Sequence, residues 1–178
     1  MTRSELEHVI RAAGAIADDR EIVVIGSQSV LGQYPDAPPA LLASMEANVY
    51  PGNHPERADL IDGAIGEGSQ FHEQFGYYAQ GVGENTATLP KGWRERLVRV
   101  ENANTGGSAG LCLEVHDLAI SKYVAGREKD LAFTAALARH AITRRETLLE
   151  RAAGTKLAAE LRRRVKGRIG RDFAAARR

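Results

Sequence analysis

The stretch that most constrains the fold is residues 21–26, EIVVIG. A β-branched run between a glutamate and a glycine has no polar face to offer water, so it predicts a buried strand ending at Gly26. SQSVLGQ then reads as a turn entering a helix, and YPDAPPALL as a Pro-rich connection to a second strand, SMEANVY. On that strand Met45, Ala47 and Val49 fall on one face and Glu46 and Asn48 on the other, since residues two apart point the same way.

The remaining elements follow from periodicity. Residues 1–19 are amphipathic, with Ser4 and Glu7 spaced as a capping box. ERADLIDGAIGEG and SQFHEQFG have helical spacing; YYAQGVG, ERLVRVEN and LCLEV read as strands; NANTGGSAG is a loop. From His116 onward the pattern is helical. Asp117 is an expected N-cap and Gly126 a stop, Thr143 and Glu146 form an expected capping box, and Gly167 and Gly170 weaken any final helix. Strands first and helices after give an α+β fold: a mixed sheet flanked by helices over residues 1–115, then a helical, basic C-terminal part over residues 116–178.

Charge is divided the same way. Residues 1–90 hold 4 Lys/Arg and 13 Asp/Glu, whereas residues 91–178 hold 20 and 10. The asymmetry suggests a polyanionic partner for the basic half, against the plainer reading of any single charge run as a solvated helical face. No apolar run approaches the ~20 residues of a membrane span. The start of the chain is broken by charges, so it reads as a helix and not a signal peptide, and a cytoplasmic location is expected. The lone Cys112 lies in an apolar run and is expected as a buried thiol.

Common catalytic motifs fail. No G-x-x-x-x-G-K-[ST] occurs, GVGENT lacks a third glycine, and neither Ser27 nor Ser29 has the glycines of a nucleophile elbow. His8, His54, His72, His116 and His140 show no zinc spacing. What remains is the Gly26–Ser27 turn, able to offer backbone N–H groups and a hydroxyl to a phosphate, and about twenty residues later an acid–apolar–amide strand. Oxygen ligands on one strand face could form one edge of a Mg²⁺ site.

These elements resemble the nucleotidyltransferase superfamily with the DNA polymerase β-like palm, in which an apolar strand, Gly-Gly or Gly-Ser, and an acid–apolar–acid strand follow one another. IGS at 25–27 matches the first element and MEANVY the second, with Glu46 as the first acid. LEVHDLAISKYVAGREKDLAF more narrowly resembles the abortive-infection, AbiEii-like toxin branch, with Lys122, Arg127, Lys129 and Asp130 in order. The resemblance spans roughly residues 20–140. It implies an NTP substrate with Mg²⁺, phosphates held by Gly26, Ser27, Lys122, Arg127 and Lys129, and metal bound by Glu46, Asn48 and Glu114. Lys122 would neutralise triphosphate charge, and Asp130 would take the acceptor proton or hold the acceptor. Glu114 has a plainer alternative as the cap of the following helix.

Asn48 stands where the family has an acid. Three explanations compete: a degenerate member that binds without catalysis, a site built from Glu46, Glu114 and the triphosphate itself, or an aspartate replaced to disarm a toxin. Residues 139–178 hold 13 Lys/Arg against 4 Asp/Glu, with an apolar stripe from Leu157 to Phe173, and can bind RNA while packing on the domain. The expected activity is nucleotidyl transfer from an NTP to an RNA acceptor, with tRNA as the expected one, restrained by a cognate antitoxin. The alternatives are a catalytically dead binding or regulatory module, or a transferase that modifies a protein hydroxyl.

Overall fold

The structure, a computed structural model, describes residues 1–176. It divides into two compact units, residues 1–86 with 97–113, and residues 87–96 with 114 onward. Segment 87–96 therefore belongs with the C-terminal helices.

The first unit is built on a five-stranded mixed sheet of order β3-β2-β1-β5-β4. Its elements are α1 (Arg3–Ala17), β1 (Glu21–Val24), the one-turn α2 (Val30–Gln33), β2 (Glu46–Pro51), α3 (Ala58–Ile65), α4 (Gln70–Phe75), β3 (Tyr78–Gly81), β4 (Val98–Val100) and β5 (Ala109–Cys112). β1 is the central strand, antiparallel to β2 and parallel to β5. Ile22, Val23 and Val24 are all buried, as an apolar strand covered on both faces should be. α1 and α2 lie over the Ile22 and Val24 face. Gly110 leaves room there for the Ile10 side chain, and Gly32 packs on Cys112. Burial pushes the Cys112 thiol up to about 12, which makes it an inert core residue.

Two local expectations change. The capping box of α1 is Thr2 with Glu5 rather than Ser4 with Glu7. Glu7 instead is buried and accepts from Arg3, Asn102 and Asn104, each at 2.8 Å, tying α1 to the 102–108 loop. Met45 lies outside β2 and is exposed, so the apolar face of that strand is Ala47 and Val49 alone.

The second unit holds α5 (Val115–Ala125), α6 (Glu128–Arg139), α7 (Arg145–Ala153) and α8 (Ala159–Ala175), packed around Leu118, Tyr123, Leu137, Leu148, Val165 and Ile169. Gly126 ends α5 with φ 64°, the left-handed conformation that glycine adopts freely. Glu114, not Asp117, is the N-cap of α5, while fully buried Asp117 accepts two hydrogen bonds from Arg96. No side chain caps α7, so the Thr143–Glu146 box does not form. Gly167 and Gly170 sit inside a continuous α8. The buried contacts of Val165 and Ile169 outweigh their weak helix propensity. Among the described residues no helix is long and apolar enough to cross a membrane.

Candidate functional site

The Gly26 turn forms because β1 ends in hydrogen bonds that leave no freedom. Ile25 N–H donates to Asn48 C=O at 3.0 Å, Ser29 N–H to Gly26 C=O at 3.0 Å, and Ser29 Oγ to Val24 C=O at 2.6 Å. Gly26 has φ −82°, so its role is spatial rather than conformational. A Cβ there would overlap the Asn48 Oδ1 and lie 3.1 Å from its Cγ. The two separate elements read from the sequence, the glycine turn and the acid–apolar–amide strand, are thus in van der Waals contact. Ser27 opens a 3-10 turn and is half-buried, with α2 following for only four residues. Any phosphate contact here falls to the turn amides and the Ser27 hydroxyl, not to a helix dipole.

Register places the rest of this cluster. β2 pairs in parallel with β3 so that Glu46 faces Tyr78 and Asn48 faces Gln80. All four project from the sheet face opposite α1, because Val49 rather than Asn48 shares the Val24 face. The Asn48 Nδ2 donates to Glu46 Oε1 and to Gln80 Oε1 (2.9 Å), and the Tyr78 hydroxyl reaches Glu46 Oε2 at 3.5 Å. An ionised carboxylate only accepts, so Asn48 must turn its N–H₂ toward Glu46. Burial, with the Glu46 charge beside it, pushes the Tyr78 hydroxyl up. Gln80 and Tyr78 escape sequence reasoning because only the β2–β3 register brings them here. Gln28 escapes it too: both of its amide atoms are buried without a partner among the described residues, beside the Gly26 turn. Such a group costs about 1–3 kcal/mol when left unsatisfied.

In the second unit Lys122, Arg127 and Asp130 come together. Asp130, 1% exposed, lies 3.3 Å from Lys122 Nζ and accepts from Arg127 Nε at 2.7 Å. Burial pushes the Asp130 carboxyl up, but the Arg127 hydrogen bond and the Lys122 charge outweigh it and hold it below the usual carboxylate range. Lys129 is exposed and stands outside this cluster. Glu114 caps α5, accepting from His116 N–H (3.0 Å) and Asp117 N–H (3.3 Å), and its Oε1 meets His116 Nδ1 at 2.6 Å. Arg144 N–H donates to His116 Nε2 at 3.0 Å, which makes Nδ1 the protonated nitrogen that donates to Glu114. Burial raises the Glu114 carboxyl, and the His116 and Asp117 hydrogen bonds together bring it below the usual range.

Among the described residues no three His, Cys, Asp or Glu side chains gather as a metal site. The Glu46 cluster is rich in hard oxygen donors, from one carboxylate and two amides, which suits Mg²⁺ in kind but leaves it one anionic ligand short.

A mixed sheet whose inner strand exits through a glycine turn against an acid–apolar–amide pair on its antiparallel neighbour is a nucleotidyltransferase-like fold. The chain belongs to the family described as nucleotidyltransferase of unknown function (DUF6036), whose model matches residues 4–136. No curated protein and no solved structure matches the chain.

Proposed function

We propose that this chain is a toxin-like nucleotidyltransferase that moves a nucleotidyl group from an NTP to an RNA acceptor, with tRNA as the acceptor that best suits its basic C-terminal half. The observation that carries the reading is Gly26 seated directly on Asn48, which sets the phosphate-type turn against the acidic strand. The family match over residues 4–136 supports the reaction class. The AbiEii-like order of Lys122, Arg127, Lys129 and Asp130 supports the toxin branch and, with it, restraint by a cognate antitoxin.

In this reading the Gly26 and Ser27 amides and the Ser27 hydroxyl bind phosphate oxygens. Lys122, Arg127 and Lys129 neutralise the triphosphate as cations. The acceptor hydroxyl attacks the α-phosphorus, the new O–P bond forms as the bond to pyrophosphate breaks, and the hydroxyl proton passes to solvent water. A carboxylate held below its usual range is a weak base, so Asp130 serves better by holding Lys122 and Arg127, or the acceptor, in place than by taking that proton. Mg²⁺, when bound, would be held by Glu46 and Asn48 and would neutralise charge on the phosphates.

A second reading has its own observation. Asn48 donates to Glu46 and Gln80, balancing the carboxylate with an amide where a catalytic site holds a cation, as a binding-only member would. The two readings separate on incubation with Mg²⁺, each labelled NTP and total tRNA. The chain is compared with Asn48→Asp and with Lys122→Ala in the Asn48→Asp background. Label should enter RNA, rise by roughly a hundredfold or more in Asn48→Asp as the missing anionic ligand returns, and vanish with Lys122→Ala. Label entering protein instead identifies a side-chain hydroxyl as the acceptor and overturns the RNA reading. If neither form transfers label to anything, the binding reading stands.

A further inference from the structure

Helix α8 sorts its charged side chains by face. Arg162 turns inward to Thr155 C=O (3.1 Å), Arg168 to Tyr123 C=O (2.5 Å), and Asp172 accepts from Tyr123 Oη (2.8 Å) and Thr134 Oγ1 (2.9 Å). With Val165 and Ile169 buried, these bonds mount one face of α8 on α5, α6 and α7. The opposite face exposes Arg163, Arg164, Lys166 and Arg171. Arg163 is shared with Glu160 at 2.6 Å, while Arg164, Lys166 and Arg171 have no partner among the described residues. The second unit thus presents a helix with its bonded charges turned in and a set of unshared cations turned out.

Gly167 and Gly170 lie on this outer face, in line with Arg163, Arg171 and Ala174 at helical spacing. A Cβ at either glycine would meet nothing within 4 Å, so alanine would fit at both. Each glycine costs the helix roughly 1 kcal/mol relative to alanine, and no close approach among the described residues requires glycine at either position. A nucleic-acid backbone laid across the helix accounts for both features. Bare glycine lets phosphates approach the helix surface, and guanidinium and ammonium groups on either side meet their oxygens. A second copy of the chain fits poorly, because the same cations would then face each other.

We propose that the outer face of α8 is an RNA-docking surface, with Arg164, Lys166 and Arg171 contacting phosphates and Gly167 and Gly170 at the line of closest approach. The choice of RNA over other polyanions rests on the acceptor reading above. α7 and α8 lie beyond the family match at residues 4–136, so this surface is additional to what the family description covers.

The test is anisotropy titration of the full chain against a fluorescein-labelled tRNA transcript over a range of KCl, with no NTP or Mg²⁺ present. Arg164→Gln/Lys166→Gln/Arg171→Gln should bind roughly tenfold or more weakly and lower the slope of log affinity against log salt by about 2–3. Gly167→Ala/Gly170→Ala should melt at a higher temperature than the parent and yet bind several-fold more weakly, with the slope less affected. Absence of tRNA binding by the parent, parent-like affinity in either variant, or a parent dimer that the alanine variant dissolves would each overturn the proposal. Label transfer is measured alongside. A parent that binds tRNA through α8 while neither it nor Asn48→Asp transfers label leaves this surface standing and removes the transferase reading alone. Transfer to RNA that persists with unchanged affinity in the triple variant removes this surface alone.

Discussion

At the scale of single residues the two decisive positions are Gly26 and Asn48. Gly26 is glycine because the Asn48 side chain occupies the space a Cβ would need, although its φ of −82° is open to any residue. Gly26→Ala should therefore cost about 1–3 kcal/mol by overpacking. Asn48→Ser, by shortening the obstructing side chain, should recover part of that loss in the double variant. A coupling of roughly 0.5–3 kcal/mol is expected for residues in direct contact, read from urea unfolding of the four proteins in the cycle. Strict additivity would mean that the turn and β2 are not packed as described. The chemistry of Asn48 also belongs to this scale. Its amide joins Glu46 to Gln80, a role an aspartate cannot fill without a cation, since two neighbouring carboxylates repel.

At the scale of elements, α8 shows how a helix with poor intrinsic propensity is held. Tyr123 is 1% exposed, and burial, together with the Asp172 carboxylate that accepts its hydrogen bond, pushes its hydroxyl up. Asp172→Ala removes the acceptor for the Tyr123 hydroxyl and for Thr134. A cost of about 1–3 kcal/mol follows for the buried hydroxyl left unsatisfied. Hydrogen exchange in the α8 amides should accelerate more than in α1, which belongs to the other unit. Uniform acceleration across both helices would show that Asp172 acts globally and is not a clamp on α8.

Across the whole molecule, acid sensitivity is written into four carboxylates. Burial pushes Glu7, Asp19, Glu114 and Asp130 up, but hydrogen bonds and ion pairs outweigh it and leave each below its ordinary value of 4.5 or 3.8. A carboxyl lowered in the folded state contributes stability that is complete above its unfolded value and is lost as pH falls through the folded one. Asp117 has the opposite sign: burial raises it despite Arg96 and Arg151, so its protonation favours the folded state. With four against one, unfolding free energy should fall steadily from about pH 5 to about pH 3. Glu7→Gln should flatten part of that slope. Stability constant or rising over this interval would contradict the ion-pair and hydrogen-bond assignments.

The sequence by itself determined the elements and their kinds. EIVVIG could only be a covered strand, LAISKYVAG had to stop at its glycine, and the order of strands before helices made the fold α+β. Local patterning sufficed because periodicity and backbone freedom act over a few residues. Part of the candidate site was legible in the same way, as Gly26, Ser27, Glu46 and Asn48. Tyr78 and Gln80 were not, because a one-residue change of register would send them to the opposite face, and register is set by the whole sheet. Cap identity was misread for the same kind of reason. Ser4, Asp117 and Thr143 carry suitable side chains, but where each helix begins was decided by packing, which gave the N-caps to Thr2, Glu114 and Arg144. Tertiary structure alone turned Asp117 into a buried partner of Arg96 and made α8 a continuous helix through two glycines. Both outcomes depend on burial and on contacts from distant segments, which no local pattern encodes.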